Sequence, residues 1–135
     1  MDQDRQTAVA GIFAAGNVLH VHDLVDFVSE EAETAGKSAA AYIRGELVED
    51  RDIPLSTDGK IRYTVPQRIT RGTDVKVYFR VADIYWNVRI TVRDGERIIA
   101  QKKKPRMAPG EMETLTLKAD ALADVRALTF SLEVL

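Results

Sequence analysis

The only histidines of the chain stand together in the run His20-Val21-His22-Asp23. Two imidazoles two positions apart on extended backbone point to one side, where they can offer nitrogens to a metal ion or move a proton. A zinc site wants three or four ligands. The chain has no third histidine and no cysteine, and Leu24 and Val25 stand where an H-x-H-x-D-H hydrolase needs aspartate and histidine. The expectation is therefore no metal, with one histidine solvated and the other hydrogen-bonded near a helix start.

Other chemistry-bearing patterns are weaker. Gly36-Lys37-Ser38 has the end of a phosphate-binding loop, but Glu31 stands where its first glycine belongs. No set of glycines makes a G-x-G-x-x-G dinucleotide fingerprint. Lys102, Lys103, Lys104 and Arg106, with Pro105 among them, read as a solvated strand end that blocks edge pairing, with the proline ending the ladder. Tyr85 and Trp86 read as buried at the core's edge. No serine, histidine and carboxylate spacing supports nucleophilic catalysis, so catalytic residues are not assigned.

Composition narrows the classes further. With 135 residues, 19 basic and 21 acidic side chains and a formal charge of -2, there is no general attraction for nucleic acid or an acidic membrane surface. The absence of cysteine excludes disulfide scaffolds and thiol redox motifs within the chain. The apolar stretch Ala8 to Ala15 is far shorter than the roughly 20 residues of a membrane helix. A soluble, cytoplasmic protein is expected.

Two periodicities divide the chain. Val9, Ile12, Phe13 and Ala14 read as a buried strand entering a turn at Gly16-Asn17. Leu24, Val28, Ala32, Ala35, Ala39, Tyr42 and Ile43 then recur at helical intervals. Asp23 is expected to cap that helix and Gly45 to end it in a left-handed conformation. Gly36 in mid-helix predicts a close-packed neighbour. A charged, proline-marked linker over residues 48–60 follows. From Ile61 the spacing becomes strand-like: residues 61–65, 75–81, 88–92 and 128–134 alternate apolar with polar, and turns fall at Asp94-Gly95 and Pro109-Gly110. The pattern predicts an antiparallel, immunoglobulin-like β-sandwich over residues 61–135, able to fold alone. The strand-turn-helix of residues 1–47 buries too little to do so. It must pack on the sandwich, on a second copy in a homodimer, or on a missing remainder.

The stretch Gly11-Ile12-Phe13-Ala14-Ala15-Gly16-Asn17, with the helix containing Gly36 and Ala39-Ala40-Ala41, resembles the last FAD-contacting segment of the flavin-dependent pyridine nucleotide-disulfide oxidoreductase family. The resemblance covers Thr7 to Gly45. It implies an α+β chain: a C-terminal remnant of an FAD domain, followed by the appended sandwich. It further implies that Gly16, Asn17 and Val18 are cofactor-binding. Gly16 would let the backbone approach FAD, position 17 would contact its ribityl-phosphate region, and the helix start would face the flavin's pyrimidine edge. A helix start presents about half a positive charge and free N–H donors, which favour reduced, anionic flavin. At ~1 kcal/mol this raises a two-electron potential by roughly 20 mV.

Asn17 replaces the family's commoner aspartate, the glycine fingerprint is missing, and no histidine follows His22 to assist a dithiol. The implied partner is the remainder of a parent flavoprotein that passes electrons from NAD(P)H through FAD to an acceptor. The alternative is a stand-alone, non-catalytic β-sandwich binding module that presents Tyr85 and Trp86 or the basic run.

Overall fold

Alternating apolar side chains build most of the structure, a computed structural model that describes residues 1–47 and 52–135. The strands are β1 (Ile53–Thr57), β2 (Ile61–Val65), β3 (Arg68–Ile69), β4 (Val75–Val81), β5 (Tyr85–Asp94), β6 (Arg97–Met107), β7 (Glu113–Leu117) and β8 (Leu128–Val134). One α-helix, α1 (Val25–Ile43), precedes them among the described residues. The result is an α+β fold with a five-stranded sheet, ordered β3-β1-β8-β5-β6, and a three-stranded sheet, β2-β4-β7. Ile61, Val77, Phe79 and Leu117 of the smaller sheet join Ile53, Ile90, Phe130 and Leu132 of the larger in one apolar cluster. The Phe79 and Phe130 rings lie 6.2 Å apart.

The strands expected at residues 61–65, 75–81 and 128–134 form at those bounds, and that expected at 88–92 lies within β5. Asp94 pairs with Arg97, so the hairpin loop is Gly95-Glu96, with Gly95 at φ 61°. Not all pairing is antiparallel, however. β1, inside the stretch read as a linker, runs parallel to β8, and residues 48–51 of that stretch lie outside the described residues. Asp58 directs the chain from β1 to β2 in the other sheet. Its side chain accepts the N–H groups of Lys60, Ile61 and Leu132, and Gly59 turns at φ 88°. With β2 drawn away, β1 takes β8 as neighbour.

Other expectations at the strand ends are corrected. Pro105 does not end a ladder: β6 continues to Met107 as an edge strand, skipping one pair where Pro105 passes Asn87, which lies at φ 50°. This suits proline, which has no N–H to donate. Lys102 and Lys104 are not simply solvated, because both ammonium groups meet the buried carboxylate of Glu113 on β7. Tyr85 packs against the core as expected, but Trp86 is 63% exposed, with the Arg106 guanidinium 5.5 Å from its ring centre.

The N-terminal segment departs furthest from its reading. Residues 8–15 form no strand; Phe13 makes one isolated bridge with Gln6, and Val9 and Ile12 are exposed. Helix α1 forms with Leu24, not Asp23, at its N-cap and with no side-chain cap. Gly45 ends it as expected at φ 71°, with the Glu46 N–H bonded to the Ala41 carbonyl and the Gly45 N–H to that of Tyr42, the Schellman pattern. The buried stripe is rotated from the expected one: Glu31, Ala35 and Ser38 are buried, whereas Ala32 and Ile43 are exposed. Gly36 has no close neighbour, for a Cβ there meets nothing within 4 Å. Gly36→Ala should therefore stabilise the chain by roughly 0.5–1 kcal/mol, while Gly45→Ala, at positive φ, should destabilise it by about 1 kcal/mol. Urea unfolding checks both signs.

Candidate functional site

Glu31 lies one helical turn beyond Phe27 and one before Ala35, so its carboxylate follows the inner face of α1 beneath the helix. Four polar groups from other segments converge there. The Gly16 N–H donates to Oε1 at 2.8 Å. His20 Nε2, His22 Nε2 and Arg5 Nε stand 3.2, 3.1 and 3.4 Å from Oε2. The Glu31 side chain is 1% exposed and those of His20 and His22 are 2% and 0% exposed.

Local backbone rules bring these groups in. The Asp2 carboxylate accepts the N–H groups of Asp4 and Gln6, the Gln6 side chain accepts that of Gly11, and the Ala14 N–H returns to the Arg5 carbonyl. The loop so formed holds Arg5 at φ 67°. Gly16–Val18 is a turn of 3-10 helix with Gly16 at φ 78°. His20 and His22 do share one side of extended chain, while Val21 between them is exposed. Both histidines are buried, so the reading of one as solvated is corrected. The reason is aromatic cover: Tyr63 stands 5.8 Å from the His20 ring, and Tyr78 and Phe27 stand 5.6 and 6.3 Å from that of His22.

Tyr78 belongs to β4, whose Val75, Val77, Phe79 and Val81 face the core. The N-terminal unit thus covers the outer side of the three-stranded sheet. Asp23 fastens this cover, accepting Arg80 Nη2 at 2.8 Å and the Met112 N–H at 2.6 Å. Burial pushes the Asp23 carboxyl up, but these donors outweigh it and hold it below the usual value. At Glu31 burial again opposes ionisation and is overcome by His20 and the Gly16 N–H, with His22 and the Arg5 charge adding to them. Its carboxyl falls from 4.5 to about 2. Burial lowers the Arg5 guanidinium from its usual value against the pull of Glu31.

Of the residues the resemblance marks, Gly16 is spoken for by Glu31, while Asn17 and Val18 face outward, Val18 at 79% exposure. Glu31 thus rigidifies the turn that presents them. The sequence reading found the histidine pair but missed Glu31. The available signal was a carboxylate at three- and four-residue spacing between Val28 and Ala35. Two imidazole nitrogens and a carboxylate oxygen, all within 4.8 Å of one another, form a donor set of metal-ligand type. No family model, curated protein or solved structure matches the chain.

The low carboxyl value makes stability depend on pH. The folded Glu31 titrates at about 2 against 4.5, so the folded state binds fewer protons. Its contribution, on the order of 3 kcal/mol, is complete above about pH 4.5 and lost as pH falls toward 2. His20, His22, Arg5 and Tyr78 are the titratable or charged groups that face it. In metal-free buffer, urea unfolding should show wild type losing its advantage over Glu31→Gln between about pH 4.5 and 2.5. A difference constant across that range would contradict the assignment.

Proposed function

We propose that the chain is the C-terminal part of a flavoprotein oxidoreductase that takes electrons from NAD(P)H to FAD and on to an acceptor. In this reading residues 1–47 supply one wall of the flavin pocket. The two sheets form an immunoglobulin-like sandwich that serves as a docking or dimerisation module. The single observation that carries the reading is a run of uncovered apolar side chains around one turn and one helix start. Val18, Val21, Leu24 and Val25 are all exposed beside the left-handed Gly16 and a helix N-terminus with no side-chain cap. Contiguous exposed apolar surface marks a place something else covers, and an uncapped helix start offers N–H donors to a polar edge.

The residues fit the group in this respect: the Asn17 amide and the Val18 side chain are exposed, and the Gly16 conformation admits only glycine comfortably. When bound, FAD supplies the hydride and electron transfer. The residues of this chain position it and exclude water, and the chain alone is inactive. Val9 and Ile12 are exposed where a strand was expected, as they would be if the strands that should flank them belonged to the remainder of the parent.

The isolated chain should therefore not retain FAD in a fluorescence titration. Joined to an upstream frame encoding G-x-G-x-x-G, it should purify with flavin, and Gly16→Val should lose it. Stoichiometric FAD binding by the isolated chain would overturn the reading.

A second reading, a stand-alone binding module, is favoured by Trp86. This side chain is exposed on β5 next to a cleft of about 450 Å³ lined by Asn87, Val88, Lys103, Lys104, Pro105 and Leu135. A stop codon and start site directly upstream of Met1 would support the module instead.

A further inference from the structure

We propose that His20, His22 and Glu31 form a binding site for one divalent transition-metal ion, with zinc the best match. The site stands independently of the flavin reading. Three observations converge on it.

The first is geometry. In a tetrahedral zinc site with ligands at ~2.0–2.1 Å, neighbouring donor atoms are roughly 3.3–3.4 Å apart. The Nε2 atoms of His20 and His22 stand 3.2 and 3.1 Å from Glu31 Oε2, already near that spacing, and all three donors lie within 4.8 Å of one another.

The second is an unmet polar atom. His22 Nε2 is fully buried, faces Oε2, and has no hydrogen bond of acceptable geometry. Leaving such an atom unpaired is unfavourable; a cation between the two would use both lone pairs.

The third is access. A polar cleft of about 270 Å³ is lined by Arg5, Glu31, Lys76 and Tyr78, among others. It reaches the site from the Glu31 side and borders the Arg5 side chain, which can move into it.

Two imidazoles and one carboxylate suit zinc and its neighbours, and three protein ligands leave a fourth position for water or another ligand. Arg5 sets the affinity. Its guanidinium, 3.4 Å from Oε2, holds a positive charge where the ion must come, so the two compete for one carboxylate. The Nδ1 atoms of both histidines are buried without a hydrogen-bond partner. The outer contacts that usually orient metal-bound histidines are therefore missing, which lowers the affinity by about 10–100-fold relative to a site that has them.

Titration of the full chain with Zn²⁺ by calorimetry, and with Co²⁺ by visible absorption, tests the site. The expected result is one equivalent bound and an intense tetrahedral Co²⁺ band. His22→Gln should weaken binding by more than about 100-fold, beyond the loss outer contacts cause. Arg5→Gln should tighten it by roughly tenfold as the competing charge is removed. Circular dichroism confirms that each variant is folded. If His22→Gln does not fold, the wild-type Co²⁺ spectrum and the Arg5→Gln shift decide. The proposal is overturned if folded wild type binds neither ion, if the Co²⁺ band is weak and octahedral, or if affinity is unchanged in both variants.

Discussion

A carboxylate removed from water must be surrounded by donors or be protonated, and Glu31 meets that requirement by drawing three stretches of chain onto itself. The Gly16 turn, the His20 to His22 segment and the Arg5 loop all lie between residues 5 and 22, and each brings a polar group to one of the two oxygens. Removing the carboxylate would leave the Gly16 N–H and His20 Nε2 without their partner and the Arg5 guanidinium without its counter-charge, which costs more than losing any one hydrogen bond. The aromatic wall of Tyr63, Tyr78 and Phe27 excludes water and so strengthens each of these interactions.

The same wall joins the two parts of the chain. Tyr78 is buried on the side of β4 opposite the core, with Arg80 next along that side. Polar contacts hold the cover in register: the Gln67 N–H donates to the Met1 carbonyl, the Thr70 N–H to the Gln3 side chain, and Arg80 to both Val21 and Asp23. The sheet edges are tied in a similar way by Glu113, which meets Lys102 and Lys104 of the other sheet. Two buried glutamates thus gather cationic and N–H groups, one within the N-terminal unit and one between the two sheets.

The strands were legible because aliphatic residues turned to the core alternate with polar or aromatic ones turned away from it, even on β4, whose Tyr78 and Arg80 are covered by the N-terminal unit with polar and aromatic contacts. That is why 61–65, 75–81 and 128–134 could be read from Ile61, Val77 or Leu132 and their neighbours. β1 was not legible: Pro54 and the charges before it carry a linker's composition, and only its pairing with β3 and β8 makes it a strand. α1 was found but rotated. Its inward stripe is centred on a charged residue, which any reading by hydrophobicity assigns to solvent. For the same reason the histidine pair was visible and its third partner was not.

Fastening by polar groups has a consequence for the surface. Apolar side chains are left exposed, and several gather at a helix start that has no side-chain cap. Val18, Val21, Leu24 and Val25 flank the N-terminus of α1, whose first turn has no side-chain cap. Single exposed aliphatics are common and mean little. Here four of them cluster around one helix start. Trp86 and Leu135 are also exposed, and Leu135 lines a cleft with Lys103 and Lys104, the second of which is already engaged by Glu113.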